Sequence, residues 1–149
     1  MASPSILMYL SFQCPSDSPS IAALMDAEKQ LVQKFSEKFL IKLHKSHGSV
    51  YREPFHCLSV EYSLTEYNIE LWEQYTNALF DEFYGNRIIL SELSRKHSIV
   101  TYFTVNINSM NSDERPVFYL SSEQIFFLAE LRASLSFDGY LMFGDEDEK

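Results

Sequence analysis

The chain is short of glycine, cysteine and basic residues, and each shortage removes a class of function. Glycine occurs only at positions 48, 85, 139 and 144, so neither a dinucleotide fingerprint nor a glycine-rich phosphate loop can be assembled. Two cysteines, Cys14 and Cys57, are too few for a disulfide framework and are read as free thiols. No stretch approaches the ~20 apolar residues that span a bilayer, and no Lys or Arg precedes the short apolar run within Met1 to Phe12. These features predict a cytoplasmic protein with no membrane span. Twelve basic residues against twenty-one acidic ones leave a formal net charge of −9. Such a field repels a phosphate backbone and draws basic partners, so direct binding of nucleic acid is not expected.

What the chain does have is apolar material. Hydrophobic residues make up 46% of the 149 and aromatics 15%, which is enough to bury a core without staples. We expect a single domain over residues 1–144 and an acidic carboxyl-terminal tail over 145–149.

Period-two alternation at Ile6, Met8, Leu10 and Phe12 predicts a first strand. Ser18 and Pro19 read as the cap and first position of a helix that carries Leu24 and Leu31 and ends near Phe35. Phe39, Ile41 and Leu43 predict a second strand, stopped by the turn residues His47 to Ser49, and Phe55 to Leu64 a third. Thr65 is placed to cap a second helix, with Ile69, Trp72, Leu79, Phe80 and Phe83 inward and Gly85-Asn86 at its end. A shorter helical piece, Arg87 to about Lys96, leads into a strand over Ile99 to Ile107. Pro116 to Leu120 reads as a further short strand. Ser121 with Gln124 forms a capping box for a helix ending near Ala133, and Leu135, Phe137, Leu141 and Phe143 close the chain as a last strand. This order predicts an α+β fold: a mixed or antiparallel sheet with helices packed on one face, ferredoxin-like or related.

Catalytic patterns are missing. No serine occupies a G-x-S-x-G elbow, and His56 beside Cys57 in a strand points to the opposite face. His44 and His47 lack the convergent third and fourth ligands that zinc needs, so we expect no metal and no cofactor. Paired carboxylates such as Glu70 with Glu73 read as a solvated helix exterior.

Charge is unevenly distributed. Six bases (29, 34, 38, 42, 45 and 52) and one acid lie between Lys29 and Arg52, whereas Glu53 to Glu82 holds seven acids and no base. From Asp113 onward nine acids face three bases. The second helix and the carboxyl-terminal region therefore predict an acidic, partner-facing surface. Its candidate residues are Glu66, Glu70, Glu73, Asp81, Asp138, Asp145 and Glu146.

The stretch from Pro116 to Tyr140, PVFYLSSEQIFFLAELRASLSFDGY, resembles the closing strand, helix and strand of a family of small bacterial domains of unknown function. That family includes presumed immunity proteins. Its members end in a small-residue turn and a strand with an Asp near a Tyr, here Ala133-Ser134, Asp138 and Tyr140. The Pro-Thr element of the family's amino-terminal half has no counterpart in Ser36 to Pro54. The resemblance implies a binding role in contact-dependent inhibition or polymorphic toxin systems: an acidic, non-enzymatic immunity protein that neutralises a basic toxin domain, such as a nuclease, by direct contact. Two alternatives stay open. One is a metal-dependent or other enzyme using the His44, His47 and Cys57 region, and the other is an acidic nucleic-acid mimic that blocks a DNA-binding protein.

Overall fold

The computed structural model describes residues 5–64, 71–108 and 119–140. Along them run β1 (Ser5–Pro15), α1 (Ile21–Lys34), β2 (Phe39–Ser46), β3 (Phe55–Leu64), α2 (Trp72–Gly85), α3 (Arg87–Ser94), β4 (Val100–Asn108), α4 (Ser122–Glu130) and β5 (Ser134–Tyr140). The five strands form one sheet in the order β2-β3-β1-β4-β5. The pairings β1–β3, β1–β4 and β2–β3 are antiparallel, and β5 runs parallel to β4. The first four strands have the ferredoxin-like order. The fifth is added at the edge by the α4 crossover, which makes the sheet mixed.

Register decides which side chains meet the helices. Ile6, Met8, Leu10 and Phe12 of β1 stand opposite Leu64, Tyr62, Val60 and Leu58 of β3, and the first three also face Ile107, Val105 and Phe103 of β4. All of these except Leu64 are buried. The helices lie on this face: Phe80 and Phe83 of α2 pack on Phe103 with ring centroids 5.6 and 6.3 Å apart, and Phe127 of α4 stacks on Phe83 at 6.4 Å. Leu24 and Leu31 of α1 and Leu90 and Leu93 of α3 join the same core. The opposite face carries the other register: Tyr9, Ser11 and Gln13, then Cys57, Ser59 and Glu61, then Tyr102 and Thr104, with Lys42 and His44 from β2.

Three boundaries differ from expectation. Ser18 and Pro19 form a turn before α1, where the Ser18 Oγ accepts the Ser20 N–H at 3.1 Å and the helix begins at Ile21. Tyr119 and Leu120 are not in a strand, and Pro116 to Phe118 lie outside the described residues. The Tyr119 carbonyl instead accepts the Trp72 indole N–H at 2.8 Å, so it serves the core and not a ladder. α4 stops at Glu130 because Arg132 turns left-handed, with φ 55°. The Ala133 and Arg132 N–H groups then close back on the Leu128 and Ala129 carbonyls at 2.9 Å each. The expected capping box is present: Gln124 N–H donates to Ser121 Oγ at 3.1 Å, and Ser121 N–H to Gln124 Oε1 at 3.0 Å. The expected helix start at Thr65 and the end of the last strand beyond Tyr140 lie outside the described residues.

The topology turns the linear charge asymmetry into a spatial one. The basic segment builds the end of α1 and β2, one edge of the sheet, whereas α4 leads into β5 at the other edge.

Candidate functional site

Two helices from the acidic segments create a groove. α2 is held inward by Trp72, Thr76, Leu79, Phe80 and Phe83, and α4 by Gln124, Phe127 and Leu128, all buried. Helical spacing then places Glu123, Phe126 and Glu130, at intervals of three and four, on one outward stripe of α4. Where that stripe meets the end of α2 lies a groove of about 650 Å³, lined by Tyr84 and Arg87 on one side and Ser122, Glu123, Phe126, Phe127 and Glu130 on the other. Its floor is aromatic. The Tyr84 ring meets Phe127 edge-on at 4.8 Å, and its hydroxyl donates to the Glu123 carbonyl at 3.2 Å. Phe126 is 68% exposed and Ile88, one residue past Arg87, 67%.

The rim is acidic. Burial first, then the charges of Glu123, Asp81 and Glu130, push the Tyr84 hydroxyl above its ordinary range. Two carboxylates, Glu123 and Glu130, line the groove itself. Arg87 supplies a base among the lining residues, and its guanidinium is turned to the Tyr84 carbonyl at 3.1 Å. An apolar floor inside a negative rim is chemically suited to a partner segment that offers an apolar or aromatic side chain beside Lys or Arg.

Of the acids expected from sequence, Asp81 is exposed on α2, three residues before Tyr84, and is not among the groove's lining residues. Glu73 is exposed in the first turn of α2, but eight residues of helix separate it from Asp81 by about 12 Å, which takes it out of the groove. Asp138 lies in β5 at the register of Asn106. Glu66, Glu70, Asp145 and Glu146 lie outside the described residues. Sequence reasoning missed Tyr84, Glu123, Phe126 and Glu130. The available signal was the Glu-x-x-Phe-x-x-x-Glu spacing on a helix whose inward face was already assigned.

The His44, His47 and Cys57 region is divided by the fold. His44 stands directly across from Cys57 on the face away from the helices, His47 follows the end of β2 and is exposed, and His56 faces the other side opposite Cys14. Among the described residues, no group of three or more His, Cys, Asp or Glu converges as metal ligands would. Burial above all pushes the Cys57 thiol up to about 11, with Arg52 and a hydrogen bond to Gln13 opposing and Glu61 adding to it. At neutral pH this sulfur is a thiol and a weak nucleophile. Cys14 is buried on the helix-covered face, so both cysteines are free.

A family model described as a domain of unknown function, DUF4279, matches residues 58–142, more than half of the chain. The chain belongs to the DUF4279 family. The matched span takes in most of β3 and all of α2, α3, β4, α4 and β5, so both walls of the groove lie within the DUF4279 domain, whereas β1, α1 and β2 precede it. No curated protein matches the chain. Among the described residues, no helix is long and apolar enough to cross a membrane.

Proposed function

We propose that this DUF4279 chain is a binding protein that takes a basic protein partner in the groove between α2 and α4. Its role, on this reading, is the immunity-type neutralisation of a basic toxin domain, such as a nuclease, in the cytoplasm. The observation that carries the reading is the pair Glu123 and Glu130 lining a groove with an aromatic floor and Phe126 exposed. Exposed aromatics in a partly desolvated groove supply binding energy, and a surrounding field of one sign supplies rate and selectivity. The net charge of −9 extends that field beyond the groove.

Affinity purification of the tagged chain from its native host tests this. The expected result is capture of a basic protein encoded by a neighbouring gene, with growth arrest when that gene is expressed alone and rescue when both are. Capture of a DNA-binding regulator without toxicity favours the nucleic-acid-mimic role. A second reading, an enzyme on the face away from the helices, rests on His44 lying across from Cys57. The raised thiol weighs against a nucleophilic cysteine there.

A further inference from the structure

A cavity of about 340 Å³ lies at the end of the sheet where β1 finishes and β3 and β4 begin. Gln13 and Pro15 of β1, Phe55 of β3 and Val100 of β4 line it, and strand alternation puts all four on the face away from the helices. Its wall is the segment from Arg52 to Pro54, which the sheet holds in place. The Ser16 N–H donates to the Pro54 carbonyl at 3.2 Å, and Ser49 and Arg52 exchange both backbone hydrogen bonds at 2.8 and 3.3 Å. Gly48, at φ +80°, admits the close approach this needs: a Cβ there would run into the Arg52 carbonyl oxygen. The volume falls at the small end of the range of small-molecule sites, roughly 300–1,000 Å³.

One charge on this wall has no ionic partner. Arg52 is the base among the lining residues, and two neutral groups fix its guanidinium: it donates to Gln13 Oε1 and lies 3.7 Å over the Phe55 ring. Among the described residues, no carboxylate forms an ion pair with it. A guanidinium carries five N–H donors, so its charge and most of its donors remain available after Gln13 has taken one. Holding it still lowers the ordering cost of using the rest. Beside it the lining is apolar at Pro15, Pro54, Phe55 and Val100, the last 49% exposed. Glu53 also lines the cavity, is exposed, and opposes an anion there. The net charge of −9 acts on an anion at long range and is largely screened at roughly 0.15 M salt, whereas contact with Arg52 is short-range.

We propose that this cavity binds a small carboxylate with an apolar, ring-sized body. The anionic head meets the planar fork of Arg52, and the body displaces water from Pro15, Pro54 and Val100. Gln13 and Phe55 are positioning residues for the guanidinium. The site shares no lining residue with the α2–α4 groove, so it stands or falls apart from the proposed function. Gln13, Pro15 and the segment from Arg52 to Phe55 also precede the span matched by the DUF4279 model.

Titration of the full chain with 2-naphthoate, and with 2-naphthamide as its neutral isostere, tests this through NMR shifts of the Val100 methyls and the Phe55 ring. Naphthoate should bind with a Kd of about 1 mM or tighter, as ligand efficiency implies for its size, and naphthamide about tenfold more weakly or worse. Arg52→Gln should bring naphthoate down to the level of naphthamide and leave naphthamide unchanged. Glu53→Gln should tighten naphthoate, because an opposing charge is gone. Val100→Trp, which fills the cavity from a half-exposed position, should weaken both probes. The wild-type comparison of the two probes decides the matter even if Arg52→Gln fails to fold. Two probes that bind alike, naphthoate shifts that map away from Val100 and Phe55, or no sign of saturation by about 10 mM, tenfold above the expected Kd, overturns the proposal. So does a folded Arg52→Gln chain that still prefers naphthoate.

Discussion

Trp72 shows how one side chain serves both packing and polar accounting. It is almost wholly buried, yet its indole N–H reaches the Tyr119 carbonyl at 2.8 Å, which fastens the start of α2 to the segment leading into α4. Trp72→Ala should cost ~3–5 kcal/mol through the cavity it leaves, read as a lowered midpoint of denaturant unfolding. A loss under about 1 kcal/mol would mean that the site collapses around the vacancy. Cys57 makes a pH prediction. Its thiol is pushed from 9.0 to about 11 in the folded chain, so the folded state binds a proton that the unfolded state has already released between those values. The stabilisation is complete below pH 9 and is lost as pH rises through about 11, at most about 2–3 kcal/mol from this group. Cys57→Ala should flatten the alkaline side of the stability profile between pH 9 and 11. An unchanged slope would assign the alkaline loss to other groups, Tyr84 and Tyr62 among them.

At the scale of elements, the sequence was most legible where periodicity and capping chemistry agree. β1, β3 and β4 were legible because their apolar positions alternate on a half-buried sheet, and the capping box of Ser121 and Gln124 was readable because both residues bond reciprocally within four positions. Ser121→Ala should remove one of those bonds and cost about 1 kcal/mol, visible as a lower thermal midpoint, with Ser121→Asp retaining most of it. What sequence reasoning misplaced was governed by contacts distant in the chain. The run at Tyr119 and Leu120 has strand-like composition but gives its carbonyl to Trp72, and the stop of α4 depends on Arg132 adopting a positive φ that no residue-type preference announces. The site was half legible for the same reason. Asp81 was readable as an exposed acid, but the groove beside it exists only because Phe127 of α4 packs on Phe80, Phe83 and Tyr84 of α2. Glu82, next to Asp81, illustrates the limit: its carboxylate accepts the Ser36 N–H at 2.9 Å and the Ser36 hydroxyl at 2.7 Å, so it ties α2 to the segment after α1. Glu82→Gln should therefore lower stability without touching groove binding.

At the scale of the whole molecule, the account rests on charge that is both large and unevenly placed. A net −9 would serve solubility alone if it were spread over the surface. Here Glu123 and Glu130 line the α2–α4 groove, so an approaching basic partner meets local charge of the same sign as the overall field. The most direct measurement is the association rate of the captured partner with the wild type and with the Asp81→Lys, Glu123→Lys, Glu130→Lys variant, across ionic strength. For the wild type, rate should fall steeply with salt as the Debye length shrinks from roughly 30 Å at 0.01 M toward 8 Å at 0.15 M. For the variant, the low-salt rate should drop by about tenfold or more and lose most of its salt slope, while its thermal midpoint stays near that of the wild type because the three side chains are at the surface. A variant that associates at the wild-type rate with the wild-type salt slope would contradict the account and remove the α2–α4 groove as the binding site.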